Sequence, residues 1–296
     1  MTIPYSGEKI ARANNLEICY DTFGEETNPA ILLIMGLGEQ MITWEEVFCK
    51  ELASHDYFVI RFDNRDVGLS TKFEDAPVPD IFALMQGEPV ETPYQLIDMA
   101  KDATGLLDTL KIRHAHVCGV SMGGMIAQTI AIEFPDRIRS LISIMSHTGN
   151  PDLPLSTPEA SAALIAPPEP ERTARIEQGV EMWRIFDGGI LSFDEDSIRK
   201  RLARSYDRSF YPLGTVRQLA AIFTSGRRTE ALKSIKIPSL VIHGDADPLV
   251  PIEGGRDTAD SIPGAKFVSI DGMGHNISPA LAPQIISEIL DHIKHT

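Results

Sequence analysis

A serine between two glycines is the group in this sequence best suited to covalent chemistry. It is Ser121, in the run Gly119-Val120-Ser121-Met122-Gly123, which follows an apolar strand pattern and opens a helical one. A sharp strand-to-helix turn presents such a hydroxyl to substrate, and the glycines allow the strand and helix to approach closely. The pattern therefore predicts that Ser121 is a nucleophile and that the amide of Met122, at a helix N-terminus, can stabilise an oxyanion.

The nucleophile needs a base, because a serine hydroxyl is weakly reactive at neutral pH, and the base needs an acid that orients it. Two loops near the end of the chain, each directly after a strand pattern, supply candidates: Asp247 in the first loop and His275 in the second. All the C-terminal ends of parallel strands lie at one edge of a sheet. We therefore predict that Ser121, Asp247 and His275 meet there as a catalytic triad.

Other residues near these three offer competing assignments. Asp245 is the rival acid, and the alternative is that it caps its own turn. His243 closes a buried strand and is predicted to be structural, while His147 follows the sixth strand and could line the pocket. Cys118 is predicted to be a small buried residue and not a thiol nucleophile. His275 could be an ordinary loop histidine, but its glycine neighbours at a strand end favour catalysis.

These motifs together resemble the α/β-hydrolase family. Residues 34–38 (IMGLG) and 61–70 (RFDNRDVGLS) are similar to the aclacinomycin methylesterase-like group, and the likeness extends over residues 8–293. The family pattern H-G-x-x-D-x-x-x-P falls on residues 243–251 and makes Asp247 the acid. The resemblance implies an α/β-hydrolase fold, with a mostly parallel sheet of about eight strands flanked by helices and a helical cap inserted after strand 6.

The resemblance also implies the remaining parts of the site. The backbone amide of Leu37 would be the second oxyanion donor beside that of Met122. Met35 stands where the family more often has a histidine, so it either adds apolar surface near the substrate or belongs to the core. The 61–70 loop is interpreted as structural, with Arg65 paired to a carboxylate.

A group of apolar and aromatic residues near strand ends or in the predicted cap could touch the substrate. The same residues could instead pack the cap against the core. The candidates are Met35, Met145, His147, Trp183, Phe186, Tyr206 and Met273.

The expected reaction is hydrolysis of small to medium or methyl carboxylic esters through an acyl-enzyme, with water as the second reactant and no metal or cofactor. The same triad serves lactonases and carbon–carbon bond hydrolases, and no motif separates them here. A non-catalytic receptor on the same fold is a further alternative. Such a receptor would be expected to have lost a triad residue, whereas this chain has a candidate for each position.

Composition limits the class of protein. The chain has 296 residues, of which 43% are hydrophobic, and a formal net charge of -15. This charge argues against nucleic acid and anionic membranes as partners and gives a mild bias against anionic substrates. No apolar run approaches the roughly 20 residues of a membrane helix. The start lacks a signal-peptide pattern, and three cysteines without metal spacing suggest a reducing compartment, so we expect a cytoplasmic protein.

The first half of the chain alternates strand and helix patterns. It begins with a hairpin that turns at Asn14-Asn15, and helices are expected over residues 44–54, with Thr43 as the N-cap, and over residues 94–110. Such alternation predicts a parallel sheet with right-handed crossovers.

The composition changes after the sixth strand pattern. Residues 149–171 are rich in Pro, Ala and Ser, and helical patterns follow until strand patterns resume near the end of the chain. We therefore predict a helical cap subdomain at residues 149–225. The core domain is expected to comprise residues 1–148 and 226–296.

Overall fold

A computed structural model describes residues 2–294 and residue 296. The strands in this part of the chain are β1 Lys9–Ala13, β2 Leu16–Phe23, β3 Ala30–Ile34, β4 Phe58–Phe62, β5 Ala115–Val120, β6 Ile138–Ile144, β7 Ser239–Gly244 and β8 Lys266–Ile270. They form one sheet in the order β1-β2-β4-β3-β5-β6-β7-β8. The β1–β2 and β2–β4 pairs are antiparallel, and all later pairs are parallel. This sheet confirms the predicted fold class.

Helices connect the parallel strands and form a large insert between β6 and β7. They are α1 Glu46–Ser54, α2 Ile81–Met85, α3 Leu96–Thr109, α4 Met122–Glu133, α5 Pro158–Ile165, α6 Arg172–Phe186, α7 Glu195–Arg208, α8 Pro212–Thr224, α9 Thr229–Leu232, α10 Ile252–Ser261 and α11 Ala282–Ile293. Helices α5 to α8 make up the insert, so the predicted helical insertion after strand 6 is confirmed. The subdomain boundaries at 148/149 and 225/226 remain a prediction. Among the described residues, none of these helices has the length and apolarity needed to cross a membrane.

The opening hairpin turns where the sequence predicts. Asn14 and Asn15 have φ values of 48° and 64°, and Ala13 pairs directly with Leu16. A two-residue turn with both central residues at positive φ matches the twist of its strands, and asparagine tolerates this conformation better than most residues. The turn therefore fixes the β1–β2 register.

The sheet has an apolar core on each face. In β3, Leu32 and Ile34 belong to one buried cluster, whereas Ile31 and Leu33 belong to the other. Alternation in a strand sends successive side chains to opposite faces, so a strand covered on both sides is continuously apolar. Helices α3 and α4 contribute to the first cluster and helices α1 and α11 to the second. The strand ends that carry the candidate site are thus anchored from both sides.

Helix α1 starts later than predicted, and the N-cap assignment of Thr43 is wrong. The helix begins at Glu46, after a 3-10 turn over Met41–Thr43. The Thr43 hydroxyl donates to the Glu39 carboxylate (2.7 Å) instead of capping a helix. A local bond within the preceding loop therefore takes the side chain that the sequence pattern had assigned to the helix.

Four helices were not predicted from the sequence: the short α2 and α9, and the longer α5 and α10. Helix α5 lies in the Pro-rich segment, where Thr157 accepts the Ala160 amide and caps the helix. Helix α10 contains Gly254 and Gly255, which disfavour a helix in isolation. A methyl group at Gly255 would overlap the His243 ring, so this glycine permits α10 to pack closely against β7. Tertiary packing, not local propensity, explains helix α10.

Candidate active site

The strand-to-helix turn at Ser121 has the predicted strained geometry. Ser121 has φ 54° and ψ -121°, and its amide donates to the carbonyl of Ile144 (2.9 Å). A side chain at Gly119 would overlap the carbonyl of Gly123, and one at Gly123 would overlap the carbonyl of Ile34. Both glycines are therefore required sterically, and the surrounding backbone holds the serine in a conformation that non-glycine residues rarely adopt.

The predicted acid and base are in direct contact. Nδ1 of His275 lies 2.7 Å from Oδ2 of Asp247, whose other oxygen accepts the amides of Leu249 (2.9 Å) and Val250 (2.8 Å). Burial alone would raise the pKa of Asp247, but the imidazoles of His275 and His243 outweigh it and lower this pKa to about 2. The carboxylate is therefore ionised and can hold a proton on Nδ1, which directs Nε2 to the role of base.

The nucleophile and the base line the same cavity. Ser121 and His275 both border a space of about 1860 Å³ that lies between the sheet edge and the insert and extends along helices α1 and α11. Among the described side chains, no hydrogen bond joins Ser121 Oγ to the imidazole of His275. Catalytic hydrogen bonds in ligand-free sites are commonly long and tighten when substrate binds. The complete triad stays a prediction that rests on the acid–base contact and on this shared cavity.

The competing residues have structural partners. Asp245 accepts the Gly272 amide (2.6 Å) from the neighbouring loop, so it braces that loop instead of capping its own turn. His243 is fully buried, with Nε2 2.8 Å from the Val250 carbonyl oxygen. Burial raises the pKa of the Cys118 thiol, which keeps it protonated and unreactive.

The two predicted oxyanion donors flank the nucleophile. A Cβ atom at Gly36 would lie 3.2 Å from Cβ of Ser121, which places the loop carrying Leu37 directly against the serine. Met122 begins helix α4, where the first amides lack carbonyl partners within the helix. Within the described structure, neither the Leu37 amide nor the Met122 amide donates a hydrogen bond. Both N–H groups are therefore unpaired, as the prediction of an oxyanion hole requires.

Two side chains that sequence reasoning missed hold residues 35–38, the loop after β3 that carries the candidate oxyanion donor Leu37. Asn64 donates to the carbonyl of Met35 (3.0 Å). Gln218, fully buried on helix α8 of the insert, accepts the Gly38 amide (2.8 Å) and donates to the carbonyl of Arg65 (2.7 Å). A glutamine on an amphipathic helix carries no local signal of such a role, because its partners lie more than a hundred residues away.

The 61–70 loop is fixed by ion pairs, as predicted. Arg65 forms two hydrogen bonds to Asp102, at 2.6 and 2.7 Å, which confirms its pairing with a carboxylate. Asp63 accepts the amide of Met41 (2.8 Å) and forms an ion pair with Arg208 of the insert (2.8 Å). The loop thus joins the strand ends to helix α7.

Most of the predicted substrate-contacting residues border the cavity. Those that line it with Ser121 and Leu37 are Met35, Met145, His147, Trp183, Phe186 and Tyr206. Met273 is fully buried in the core and is not among the described residues that line this space. The sequence analysis missed Met125, Leu219 and Ile222, whose helical patterns do not reveal which face meets the cavity.

His147 is held as a neutral hydrogen-bond donor. Its Nδ1 accepts the amide of Gly149 (2.9 Å), so the proton of the neutral ring resides on Nε2. Burial and the nearby Arg228 guanidinium lower the pKa of His147 to about 4. The cavity therefore contains an uncharged N–H group beside its apolar lining.

The insert contacts the candidate base directly. The amide of His275 donates to the carbonyl of Phe186 at the end of α6 (2.6 Å), and the two rings meet edge-on at 6.2 Å. A side chain at Gly274 would overlap the backbone of Asp187. The position of the histidine loop therefore depends on the insert as well as on the sheet.

Comparison with known proteins gives relatives of similar length. The chain is 30% identical over 293 residues to the rhodomycin D methylesterase DauP of Streptomyces sp. (strain C5), covering 92% of this chain and 93% of that protein. It is 28% identical over 250 residues to 3-oxoadipate enol-lactonase 2 of Acinetobacter baylyi, covering 84% and 83%. The similarity to a rhodomycin D methylesterase confirms the predicted resemblance to the aclacinomycin methylesterase-like group.

Solved structures and family models agree on the fold. The crystal structure of an enol-lactonase from Burkholderia xenovorans LB400 superposes with a TM-score of 0.71 at 24% identity, over 97% of this chain and 100% of that chain. The family model for the alpha/beta hydrolase fold matches residues 29–279, which include all the predicted site residues. The chain therefore belongs to the α/β-hydrolase family.

Proposed function

We propose that this protein is a serine esterase that hydrolyses carboxylic esters through an acyl-enzyme on Ser121. The observation that best supports it is the 2.7 Å contact between His275 and Asp247, at the sheet edge where Ser121 is held in a strained turn. Strain of this kind persists only where the surrounding structure imposes it, and it is concentrated at functional sites.

The mechanism follows from the protonation states. His275 takes the proton of Ser121 through Nε2, and the hydroxyl oxygen attacks the ester carbonyl. Asp247 stabilises the imidazolium that results. The amides of Leu37 and Met122 receive the negative charge of the tetrahedral intermediate, and one such donor is typically worth about 3–4 kcal/mol in the transition state. His275 then protonates the alcohol as it leaves, and a water molecule activated by the same ring releases the acid.

The cavity supports small to medium or methyl esters as the substrate class. Its apolar lining near the serine includes Met35 and Met145, whose flexible side chains adapt to different acyl or alcohol groups. The neutral Nε2–H of His147 can orient a carbonyl or hydroxyl oxygen. The name of the relative DauP, a methylesterase, points to the same class of bond.

Lactone hydrolysis is the second candidate, and the similarity to an enol-lactonase favours it. A lactone is a cyclic ester, so attack by Ser121 and the oxyanion hole would be identical. The two reactions differ only in that the leaving alcohol stays attached to the acyl group. Pocket shape, not the triad, would decide between them. Carbon–carbon bond hydrolysis requires the same triad and is tested by the same experiment.

A turnover screen separates these functions. Purified protein and the variant Ser121→Ala would be compared on p-nitrophenyl esters of increasing chain length, methyl esters, lactones and a vinylogous diketone. Labelling by a serine-reactive phosphonate, located by mass spectrometry, would report the nucleophile independently of substrate choice. We expect ester turnover and labelling at Ser121 in the wild type alone. Absence of both turnover and labelling would instead support a ligand-binding receptor.

A further inference from the structure

Arg201 on helix α7 is a buried charge without a partner. Its side chain borders the cavity, and the residue is only 9% exposed. Nε and Nη2 are enclosed and have no hydrogen-bond acceptor among the described residues, whereas Nη1 is not among these enclosed atoms; the guanidinium lies over the Trp183 ring at 4.4 Å. Burial of an unpaired charge is costly, because the ring face replaces only part of the lost hydration.

The other buried arginines do not share this property. Each of them donates to carboxylate or carbonyl oxygens of the protein, or to both, as shown by Arg61, Arg65, Arg217 and Arg228. The buried arginines of this chain thus normally have hydrogen-bond acceptors within the protein. The exception lies at the cavity wall, where a ligand can supply an acceptor to Nη1, the guanidinium nitrogen that is not enclosed.

A second arginine shares the acidic neighbour Glu39 with Arg201. Arg175 on helix α6 also lines the space, and burial lowers the pKa of both guanidinium groups. The acidic groups that act on Arg201 are Glu39 and Glu45, and Glu45 is already paired with Arg204. Within the described part of the chain, neither Arg175 nor Arg201 forms an ion pair with a carboxylate. Glu39 acts on Arg175 as well, so Arg175, Arg201 and Arg204 stand against two carboxylates and the local charge is positive.

The position of Arg201 relative to the candidate base follows from ring contacts. Its guanidinium lies over Trp183, which meets Phe186 edge-on at 5.9 Å, and Phe186 meets His275 edge-on at 6.2 Å. Two aromatic rings thus separate the charge from the imidazole. A group bound at Arg201 would belong to the end of the substrate remote from the carbonyl that Ser121 attacks.

We propose that Arg201, assisted by Arg175, forms an anion subsite that binds a carboxylate at the far end of the substrate's acyl chain. The substrate class is then a monoester of a dicarboxylic acid, and this inference rests on the proposed esterase function. The net charge of -15 repels anions from a distance, but salt screens that field beyond about 10 Å. A contact inside the cavity is screened much less, so the local arginines outweigh the overall charge.

The test compares esters that differ only at the far end of the acyl chain. Mono-p-nitrophenyl esters of dicarboxylic acids would be measured beside esters of equal length that end in a methyl group or an ammonium group. The readout is the ratio of kcat/KM for the carboxylate ester to that for the methyl ester. We expect this ratio to exceed one in the wild type at one chain length, and to fall roughly 10- to 100-fold in Arg201→Gln, as for loss of a charged hydrogen bond.

Arg199→Gln is the matched control, because Arg199 lies on the same helix and pairs with Glu177 and Glu195 at the surface. It should keep the wild-type ratio. If Arg201→Gln does not fold, Arg175→Gln should lower the ratio several-fold, and the free dicarboxylate should inhibit the wild type competitively.

The outcomes distinguish the subsite from the esterase function. A wild-type ratio at or below one for every length, a preference for the ammonium ester, or an unchanged ratio in Arg201→Gln would overturn the anion subsite. Turnover of the methyl-ended esters would still support the esterase. Failure to hydrolyse any ester would overturn both.

Discussion

At the scale of single residues, the acid of the candidate triad can be distinguished from its neighbour by its partners. Asp247 contacts the His275 ring, whereas Asp245 accepts the backbone amide of Gly272, in the same loop after β8. Both carboxylates lie in one loop, so they form a natural pair for mutation. Asp247 is buried and Asp245 is exposed, and only the substitution at Asp247 changes a contact of the base.

Asp247→Asn should therefore lower kcat for p-nitrophenyl esters by about 10⁴-fold, the loss seen when an amide turns the imidazole to the wrong tautomer. Asp245→Asn, the control, should change kcat by less than about 10-fold, since it only weakens a loop contact. Steady-state kinetics on both variants, with circular dichroism to verify folding, give the comparison. Equal losses in the two variants would contradict the assignment of Asp247.

His147 gives a pH dependence of stability. Its folded-state pKa of about 4 lies below the ordinary value of 6.5, so the unfolded chain binds a proton first as the pH falls. The folded state then loses stability between about pH 6.5 and pH 4, by roughly 1–3 kcal/mol for this group. Above pH 6.5 the ring is neutral in both the folded and the unfolded state, so it does not change the free energy of unfolding with pH.

His147→Gln keeps an acceptor for the Gly149 amide but does not titrate. Urea unfolding at pH 7 and at pH 4.5 should show a smaller loss of unfolding free energy in this variant than in the wild type. Other buried histidines, such as His116, contribute equally to both proteins and cancel. If the wild type lost no more unfolding free energy than the variant, burial would not be what lowers the pKa of His147.

At the scale of elements, helix α8 of the insert holds the loop after β3, which carries the candidate oxyanion donor Leu37. Gln218 bridges the Gly38 amide and the Arg65 carbonyl, so one side chain connects the loops after β3 and β4. Oxyanion donors act only when they are already positioned before charge develops. A helix of the insert thus participates in positioning, although it supplies neither donor.

Gln218→Leu should lower kcat by about 10- to 100-fold with a smaller change in KM, because the loop moves while most of the pocket remains. Thr224→Ala is the control on the same helix, where the hydroxyl donates to the Ala220 carbonyl (2.9 Å) and lies 3.5 Å from the Thr92 hydroxyl, away from the loop after β3. Gln218→Glu, which keeps one acceptor for the Gly38 amide, should be less impaired than the leucine variant. A loss confined to KM would indicate a role in substrate binding instead.

Local patterns predicted the elements that depend on their own residues. The Asn14-Asn15 turn, the continuously apolar β3 and the turn at Ser121 are each specified within a few positions. Helix α10 and the role of Gln218 could not be predicted in this way. Their stability and function depend on contacts with segments distant in sequence, which a pattern along the chain does not contain.

At the scale of the whole molecule, the candidate site lies where the edge of the sheet meets the helical insert. The sheet edge supplies Ser121 and Asp247, and the His275 loop lies between that edge and the insert. On the insert side, the Phe186 carbonyl accepts the backbone amide of His275, and the side-chain amide of Asn276 donates to the Asp187 carboxylate (3.2 Å). Movement of the insert would therefore move the base.

Gly274→Ala tests this dependence. The added methyl group would overlap the backbone of Asp187, which lies at the end of α6 and cannot rotate away as a flexible side chain could. We expect the insert to shift from the histidine loop, with kcat lowered more than about 10-fold and a free energy of unfolding lower by roughly 1–3 kcal/mol.

Asp187→Asn is the comparison for Gly274→Ala, because it keeps the shape of the contact and removes only the charge. It should retain more activity than the glycine variant if close packing, and not the Asp187 carboxylate, positions the base. Kinetics on a p-nitrophenyl ester and thermal unfolding would be recorded for both variants. An unchanged kcat in Gly274→Ala would mean that the insert moves without displacing the base. The sheet alone would then hold His275 in place.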